Sequence, residues 1–410
     1  MTDTVLHPSP PAPRHTVRTS AGAIITTIAC VLPVFLLGGL AVQMGHDLHF
    51  SPAGLGLAVS VYFGISALAS VPSGALVERY GPVTVARAGI LLSAGSLLAV
   101  AALARSYPVL VLLLALSAAA NALGQLASNA ALAAHVPADR QGLSFGLKQA
   151  AIPISTLLAG AAVPAIALTA GWRWAFVVAA GAALAALPAV PGRRRESTGR
   201  AAVGRAGPGR AALLVVGVAA TLAAAAANAL GTFVVDSAAG RGLAPALAGL
   251  TLTLGSAVCV AARIGAGWLA DRRAGGHVTV IAGMLVVGAA GLGLLALRGP
   301  AALVAGVVLG FGLGWAWPGL LNFAVVRLHP QAPAAATSIT QTGVYAGGCV
   351  GPLGLGAVAA HLGYPAMWTV AGTAMLLAAA LMLAGARLLT RAHPAPARPR
   401  FPRPAPAAGR

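Results

Sequence analysis

Apolar residues in this chain come in long unbroken runs, separated by short polar stretches built on arginine, glycine and proline. Strands of a membrane barrel would instead alternate in polarity over segments of about ten residues. The runs match the roughly 20 apolar residues that a helix needs to cross a bilayer. Twelve spanning helices are predicted, the first six near 21–44, 54–75, 83–104, 108–133, 144–169 and 174–191. The second six lie near 211–235, 244–269, 278–297, 301–326, 338–360 and 365–388. Connections are mostly short. The exception is "PGRRRESTGRAAVGRAGPGR", Pro191 to Arg210, whose composition predicts a flexible linker between two six-helix halves.

Composition turns this pattern into a class. Hydrophobic residues make up 58% of the 410 and charged residues 8%, against about 25% charged in ordinary globular proteins. So few charges cannot cover a soluble fold of this size. Continuous apolar runs, in a solvent where only helices and closed barrels satisfy the backbone, predict an all-α membrane protein. A net charge of +19 would suggest nucleic acid in a soluble protein. Here it reads as topology, and no nucleic-acid partner is expected.

With the N-terminus inside, twenty arginines fall in the termini, the even-to-odd loops and the linker. Four (Arg105, Arg173, Arg241 and Arg298) fall on the opposite side, and Arg263 alone lies inside a span. Cytoplasmic loops carry such an excess, so both termini are expected in the cytoplasm of a multi-pass cell-membrane protein. The expected layout is a tail over 1–20, bundles over 21–190 and 211–388, the linker over 191–210, and a Pro/Arg-rich disordered tail over 389–410. The first apolar run is longer than the core of a signal peptide, so cleavage is not expected. Cys30, Cys259 and Cys349 fall inside apolar runs at no metal-like spacing, and no disulfide, metal or cofactor is expected.

The halves repeat each other. "GALVER" at Gly74–Arg79 matches "GWLADR" at Gly267–Arg272 at an offset of 193, which also pairs Asn129 with Asn322 and Pro137 with Pro330. Gly74, Leu76, Glu78, Arg79 and Gly81, echoed by Gly267, Leu269, Asp271 and Arg272, resemble the loop motif of the major facilitator superfamily. The resemblance extends over essentially the whole chain outside its tails. It implies twelve helices in two six-helix pseudo-repeats, with a central cavity lined by spans 1, 2, 4, 5, 7, 8, 10 and 11. In the motif, glycines permit close approach and a tight turn. The acid can pair with a basic residue or a helix end across the cytoplasmic face and latch one conformation. The expected gate is therefore Gly74, Glu78, Arg79, Gly81, Gly267, Asp271 and Arg272. Two departures set the chain apart from the family's drug–proton antiporters: span four has no arginine, and the glycine-proline pair stands in span eleven, at Gly351–Pro352.

Polar side chains inside lipid are costly and should face a cavity or each other. On span four, Asn121, Gln125, Ser128 and Asn129 form one polar stripe at helical spacing. On span ten, Trp315 and Asn322 are two turns apart and expected to share a face, and Pro318 leaves the Gly314 carbonyl without its helical donor. Lys148, the only lysine, opens span five near the cytoplasmic side, where snorkelling to the interface competes with a site role. Arg263 lies deeper in span eight, and Tyr62, Gln341 and Tyr345 are expected at similar depth.

All seven carboxylates (Asp3, Asp47, Glu78, Asp139, Glu196, Asp236 and Asp271) fall in tails, loops or span ends. Buried cations without a buried anion favour an anionic substrate. The expected function is secondary active transport of a small organic or inorganic anion by a monomer in the lipid bilayer. The alternative is multidrug or metabolite efflux by proton antiport, with Trp315 and Trp317 in an apolar cavity and Asp236 as proton carrier. A membrane enzyme would need acids or histidines clustered at one face, usually with a metal, and only Asp236 and Asp47 could serve, so no enzyme is expected.

Overall fold

A computed structural model describes residues 13–50, 52–190 and 209–392. Residues 191–208 of the expected linker and the outer parts of both tails lie outside the described residues; Arg210, expected in the linker, already opens a helix, and residues 389–392, expected in the disordered tail, continue one. Within them the chain is helical: α1 (Pro13–Gly39), α2 (Ala41–Leu48), α3 (Pro52–Tyr80), α4 (Pro82–Leu103), α5 (Tyr107–His135), α6 (Gln141–Ala162), the single turn α7 (Leu168–Ala170) and α8 (Trp172–Ala185). The second half contains α9 (Arg210–Ala239), α10 (Pro245–Asp271), α11 (His277–Ala296), α12 (Pro300–Leu309), α13 (Pro318–Leu328) and α14 (Pro333–Ala392). The 60-residue α14 is broken at Gly363, where φ is +82° and ψ 169°, values open to glycine and closed to most residues. That break divides it into spans eleven and twelve and completes twelve apolar helical segments among the described residues.

Several boundaries differ from the sequence reading. Span one starts at Pro13 and stops at Gly39; the run to residue 44 continues instead into α2, after Leu40 leaves the helical region. Span five passes through a π turn at Val163–Ala167, around Pro164. Span ten is not one helix. It has a π turn at Gly310–Gly314 and restarts at Pro318, so helical spacing does not carry from Trp315 to Asn322 and their expected shared face is lost.

Lipid tails are as apolar as leucine, so the helices associate by close packing of small residues rather than by hydrophobic burial. Span eleven packs on span seven in this way. A Cβ on Gly347 would lie 2.8 Å from Ala224 Cβ, and one on Gly351 would lie 2.6 Å from Ala225 Cα. Gly343, four residues earlier, meets Gly217 in the same manner, 2.9 Å from its carbonyl carbon. Three glycines at four-residue spacing thus form one groove that brings spans seven and eleven backbone to backbone.

Candidate functional site

The two repeated loops close one face of the molecule. Asp271, at the end of span eight, accepts hydrogen bonds from Gly142 N at 2.6 Å and Leu143 N at 2.8 Å, the exposed amides that start span five. Glu78, at the end of span two, accepts from Ala334 N at 3.0 Å and Ala335 N at 3.3 Å at the start of span eleven. Each acid therefore caps a helix of the opposite half, where free N–H groups and the helix dipole favour negative charge. The glycines one turn earlier act as a pair too. A Cβ on Gly74 would stand 3.0 Å from Ser338 Cβ, and one on Gly267 would stand 3.1 Å from Gly146 Cα. Gly81 turns the chain with φ +82°. Arg79 and Arg272 make no ion pair with these acids among the described residues; they lie over the rings of Tyr80 and Trp268 at 5.2 and 3.4 Å. Of the motif, the acid and the first glycine hold the halves together, and the arginines mark the face.

Beneath this seam lie the two buried cations. Lys148 is 0% exposed, which overturns the snorkelling expectation: the side chain turns inward. Its Nζ donates to Gln125 Oε1, to Asn129 Oδ1 at 2.9 Å and more weakly to Gln125 O at 3.5 Å. Span four thus supplies all three acceptors that an ammonium needs. Arg263 is 1% exposed. Its Nη1 donates to Gln149 O at 2.5 Å, across the boundary between halves, and its Nη2 to Trp315 O at 3.0 Å. Both acceptors have local causes. Pro153 lacks the N–H that would otherwise bond Gln149 O, and the break before Pro318 frees carbonyls of span ten. The sequence placed the freed carbonyl at Gly314; the one Arg263 takes is the next, Trp315. Nε of Arg263 has no protein partner.

A neutral cluster lies between spans two, four and eleven. Asn121 Nδ2 donates to Ser66 Oγ at 3.4 Å, and Tyr345 stacks on Phe63 with centroids 6.2 Å apart. The Tyr345 hydroxyl faces Asn121 and Gln341 without reaching hydrogen-bond geometry. Tyr62 points back into its own half and donates to Cys30 O at 3.3 Å. The span-four stripe therefore divides: Asn121 serves span two, Gln125 and Asn129 serve Lys148, and Ser128 bonds Ala23 O of span one at 3.3 Å. Asn322 is buried in α13 with Nδ2 unpartnered, as are Asn129 Nδ2 and Trp317 Nε1; Asn121 Oδ1 and Gln149 Oε1 are the matching free acceptors. With Arg263 Nε, buried donors lacking a protein partner outnumber acceptors in this set. Gly142, Gly146 and Phe63 escaped sequence reasoning. The Gly142-to-Gly146 spacing carried a signal for close packing, and Pro153 marked the free carbonyl at Gln149 but not its partner Arg263.

The opposite face has its own clasps. Asp47, on α2, accepts from Trp172 Nε1 at 2.8 Å and Arg173 Nη1 at 3.4 Å. The Trp172 hydrogen bond, with the Arg173 charge behind it, holds the Asp47 carboxyl below the usual aspartate range. Arg173 also donates to Ala104 O at 3.1 Å, and Arg241 donates to Leu297 O at 3.0 Å. Ala104 and Leu297 are again 193 apart, so both halves tie off the same helix end with an arginine taken from different loops.

Comparisons with known proteins agree with this architecture. The Major Facilitator Superfamily description matches residues 23–352 and again 216–409. A chloramphenicol resistance protein of Streptomyces lividans is 30% identical over 369 residues, covering 85% of this chain and 91% of that protein. The proton:xylose symporter XylE superposes with a TM-score of 0.72 at 16% identity, over 90% of this chain and 96% of its own. The human organic anion transporter MFSD10 superposes with a TM-score of 0.68 at 16% identity, over 91% and 100%. At such identities the two structures speak for the fold alone. The family match and the relative go further: this chain belongs to the major facilitator superfamily and is one of its multi-pass membrane transporters.

Proposed function

We propose that this transporter moves a small organic or inorganic anion by alternating access, with Arg263 and Lys148 supplying the charge that receives it. One observation carries the reading. Two cations lie buried where the halves meet, and their partners are neutral amide and carbonyl oxygens; among the described residues no carboxylate pairs with either. Each buried ion costs several kcal/mol, which neutral dipoles only partly offset, so an anion entering between them is favoured. Asn121, Gln125, Asn129, Asn322, Gln341, Tyr62, Tyr345 and Trp315 would orient it. Glu78 and Asp271, with Gly74 and Gly267, form the gate that must part, and Arg79, Gly81 and Arg272 frame it. The arginine bias assigns that closed face, the linker and both termini to the cytoplasm of the cell membrane. One chain carries both cations and both gates, which supports a monomer as the working unit.

The 30% identical chloramphenicol resistance protein favours a second reading, drug efflux by proton antiport. It would use Trp315 and Trp317 as apolar surfaces and Asp236 as proton carrier, but Asp236 lies exposed at the end of α9. Thermal unfolding of the purified chain with nitrate, formate and methanesulfonate, against chloramphenicol and a lipophilic cation, separates the two. Stabilisation by anions alone, lost in Arg263→Ala, supports the anion reading. Stabilisation by chloramphenicol or the cation, with none by the anions, replaces it.

A further inference from the structure

Twenty-six basic side chains include one lysine, and among the described residues it is the basic side chain with no exposure at all. Arginine would fill the same place as a fixed charge, because a guanidinium keeps its proton throughout the physiological range; an amine can give its proton up. The surroundings of Lys148 suit both forms. Span four presents two neutral amides, Gln125 and Asn129. Span one presents hydroxyls, with Ser20 bonded to Ser144 one turn away. Span eight presents Arg263, with Cys259 beside it, and then Asp271, whose oxygens are taken by Gly142 N and Leu143 N. Gly142 is six residues, or about 9 Å of helix, from Lys148. Span ten presents the Trp315 carbonyl, Phe323 packed on Phe145, and Arg327 over the Phe323 ring. A carboxylate partner would pin the ammonium. Amides do not: turned over, each offers an N–H to the lone pair of a neutral amine. Asn129 Nδ2 has no protein partner, so turning this amide breaks no bond at that end.

We infer that Lys148 is the proton-carrying group of the transport cycle and that one proton travels with each anion. The inference rests on the reading that Lys148 and Arg263 form the substrate site. In the closed form described here Nζ holds its proton against three oxygens. The anion, neutralising two neighbouring cations, favours the loaded state, and by linkage the proton favours the anion. When the gate parts, water enters and the anion leaves, two like charges face each other with no anion between them. The N–H bond then breaks, the electron pair stays on Nζ and the proton passes to water. The reverse step reloads Nζ when the site opens to the opposite face.

A single lysine makes the test direct. Full-length protein carrying 13C,15N-lysine and a lysine-free tag yields one lysine side-chain signal by NMR, which Lys148→Arg removes. The signal is expected to move reversibly from its ammonium to its amine position between about pH 6 and about pH 9. A signal fixed at the ammonium position across that range overturns the inference. The second arm uses proteoliposomes containing a pH dye and given an inward gradient of nitrate or methanesulfonate, whose acids are too strong to cross lipid in neutral form. Entry of either anion should acidify the interior, at least tenfold more slowly with Lys148→Arg; anion entry without acidification also overturns the inference. Should neither anion enter, the anion reading fails, while the lysine titration still decides the role of Lys148 without any substrate.

Discussion

Removing either acid of the seam should unlock the arginine-rich face, and the size of the effect follows from the bonds. Asp271 makes two charge-assisted bonds, at 2.6 and 2.8 Å, and Glu78 two longer ones, at 3.0 and 3.3 Å. Such bonds contribute about 1.5–3 kcal/mol each when dry. Both acids are only half-buried and water replaces part of the loss, so about 1 kcal/mol per short bond is the better figure. Asp271→Ala should then cost the closed form about 2 kcal/mol and Glu78→Ala about 1 kcal/mol. At about 1.4 kcal/mol per factor of ten, those are roughly 30-fold and 5-fold rises in the ratio of open to closed molecules. Acid and amide sit in opposite halves, so the whole cost falls on closure and little on folding.

Ser338→Cys reports the opening. Ser338 is 3% exposed and packs against Gly74, so its thiol reacts with an impermeant maleimide from the arginine-rich side only when the halves part. Cys349 is removed, and the buried Cys30 and Cys259 stay as the subtracted background. Labelling should accelerate by the factors above, and in the double variant by their product, because the two contacts are separate and oppose the same motion. Labelling within twofold of the parent in both variants, with unchanged thermal midpoints, would refute the latch.

Three further outcomes follow from single contacts. Pro153→Ala restores a helical donor to Gln149 O, so Arg263 loses part of its hold on the opposite half; Ser338→Cys labelling should rise several-fold, about 1 kcal/mol, with the fold intact. Gly347→Leu drives a side chain into Ala224 on span seven, and overpacking of about 1–3 kcal/mol or more should lower the thermal midpoint and the yield, whereas Gly354→Leu, with open space at its Cβ, should not. Asp47, held below its usual range by Trp172 and Arg173, adds stability that is present above the unfolded value of about 3.9 and lost as pH falls through the lower folded value. Acid-side thermal midpoints should therefore fall more steeply for the parent than for Asp47→Asn. The difference should be small and should shrink with salt, since the carboxylate is 44% exposed.

What the sequence made legible follows from what lipid demands of a chain. A spanning helix must be apolar for its full length, so twelve segments can be read without a structure, and a charge inside one is conspicuous. The gate acids could be read as well, because Glu78 and Asp271 stand at the same place in two copies of one motif. Their partners could not: Gly142 N and Ala334 N are backbone groups, which no side chain announces. Breaks inside spans stayed hidden for a related reason. The π turn at Gly310–Gly314 lies where Gly288 and Gly291 of span nine press within 2.8 and 2.5 Å of span-ten backbone nitrogens, measured from a Cβ placed on each. That is a tertiary cause with no periodic trace. The sequence left Lys148 between snorkelling and a site role, because depth counted from the start of an apolar run says nothing of the cover that neighbouring spans provide. The helix begins at Gln141, and the cover over the ammonium comes from spans four and eight.

The repeat also explains why gate and charge behave differently. At the offset of 193, Gly74 corresponds to Gly267 and Glu78 to Asp271, and both pairs make the same cross-half contact. A face that must close when the opposite one opens benefits from matched latches, since two similar contacts released together favour an all-or-none motion over a partial one. The cations break the same symmetry: Lys148 corresponds to Gln341, and Arg263 to Ser70. Buried positive charge is thus confined to the seam of spans five and eight, while the seam of spans two and eleven carries beneath Glu78 only the neutral Ser66, Asn121, Gln341 and Tyr345. A mirrored set of four cations would repel across the site and hold the halves apart. Two on one seam leave the other free to pack tightly, as Gly74 does on Ser338.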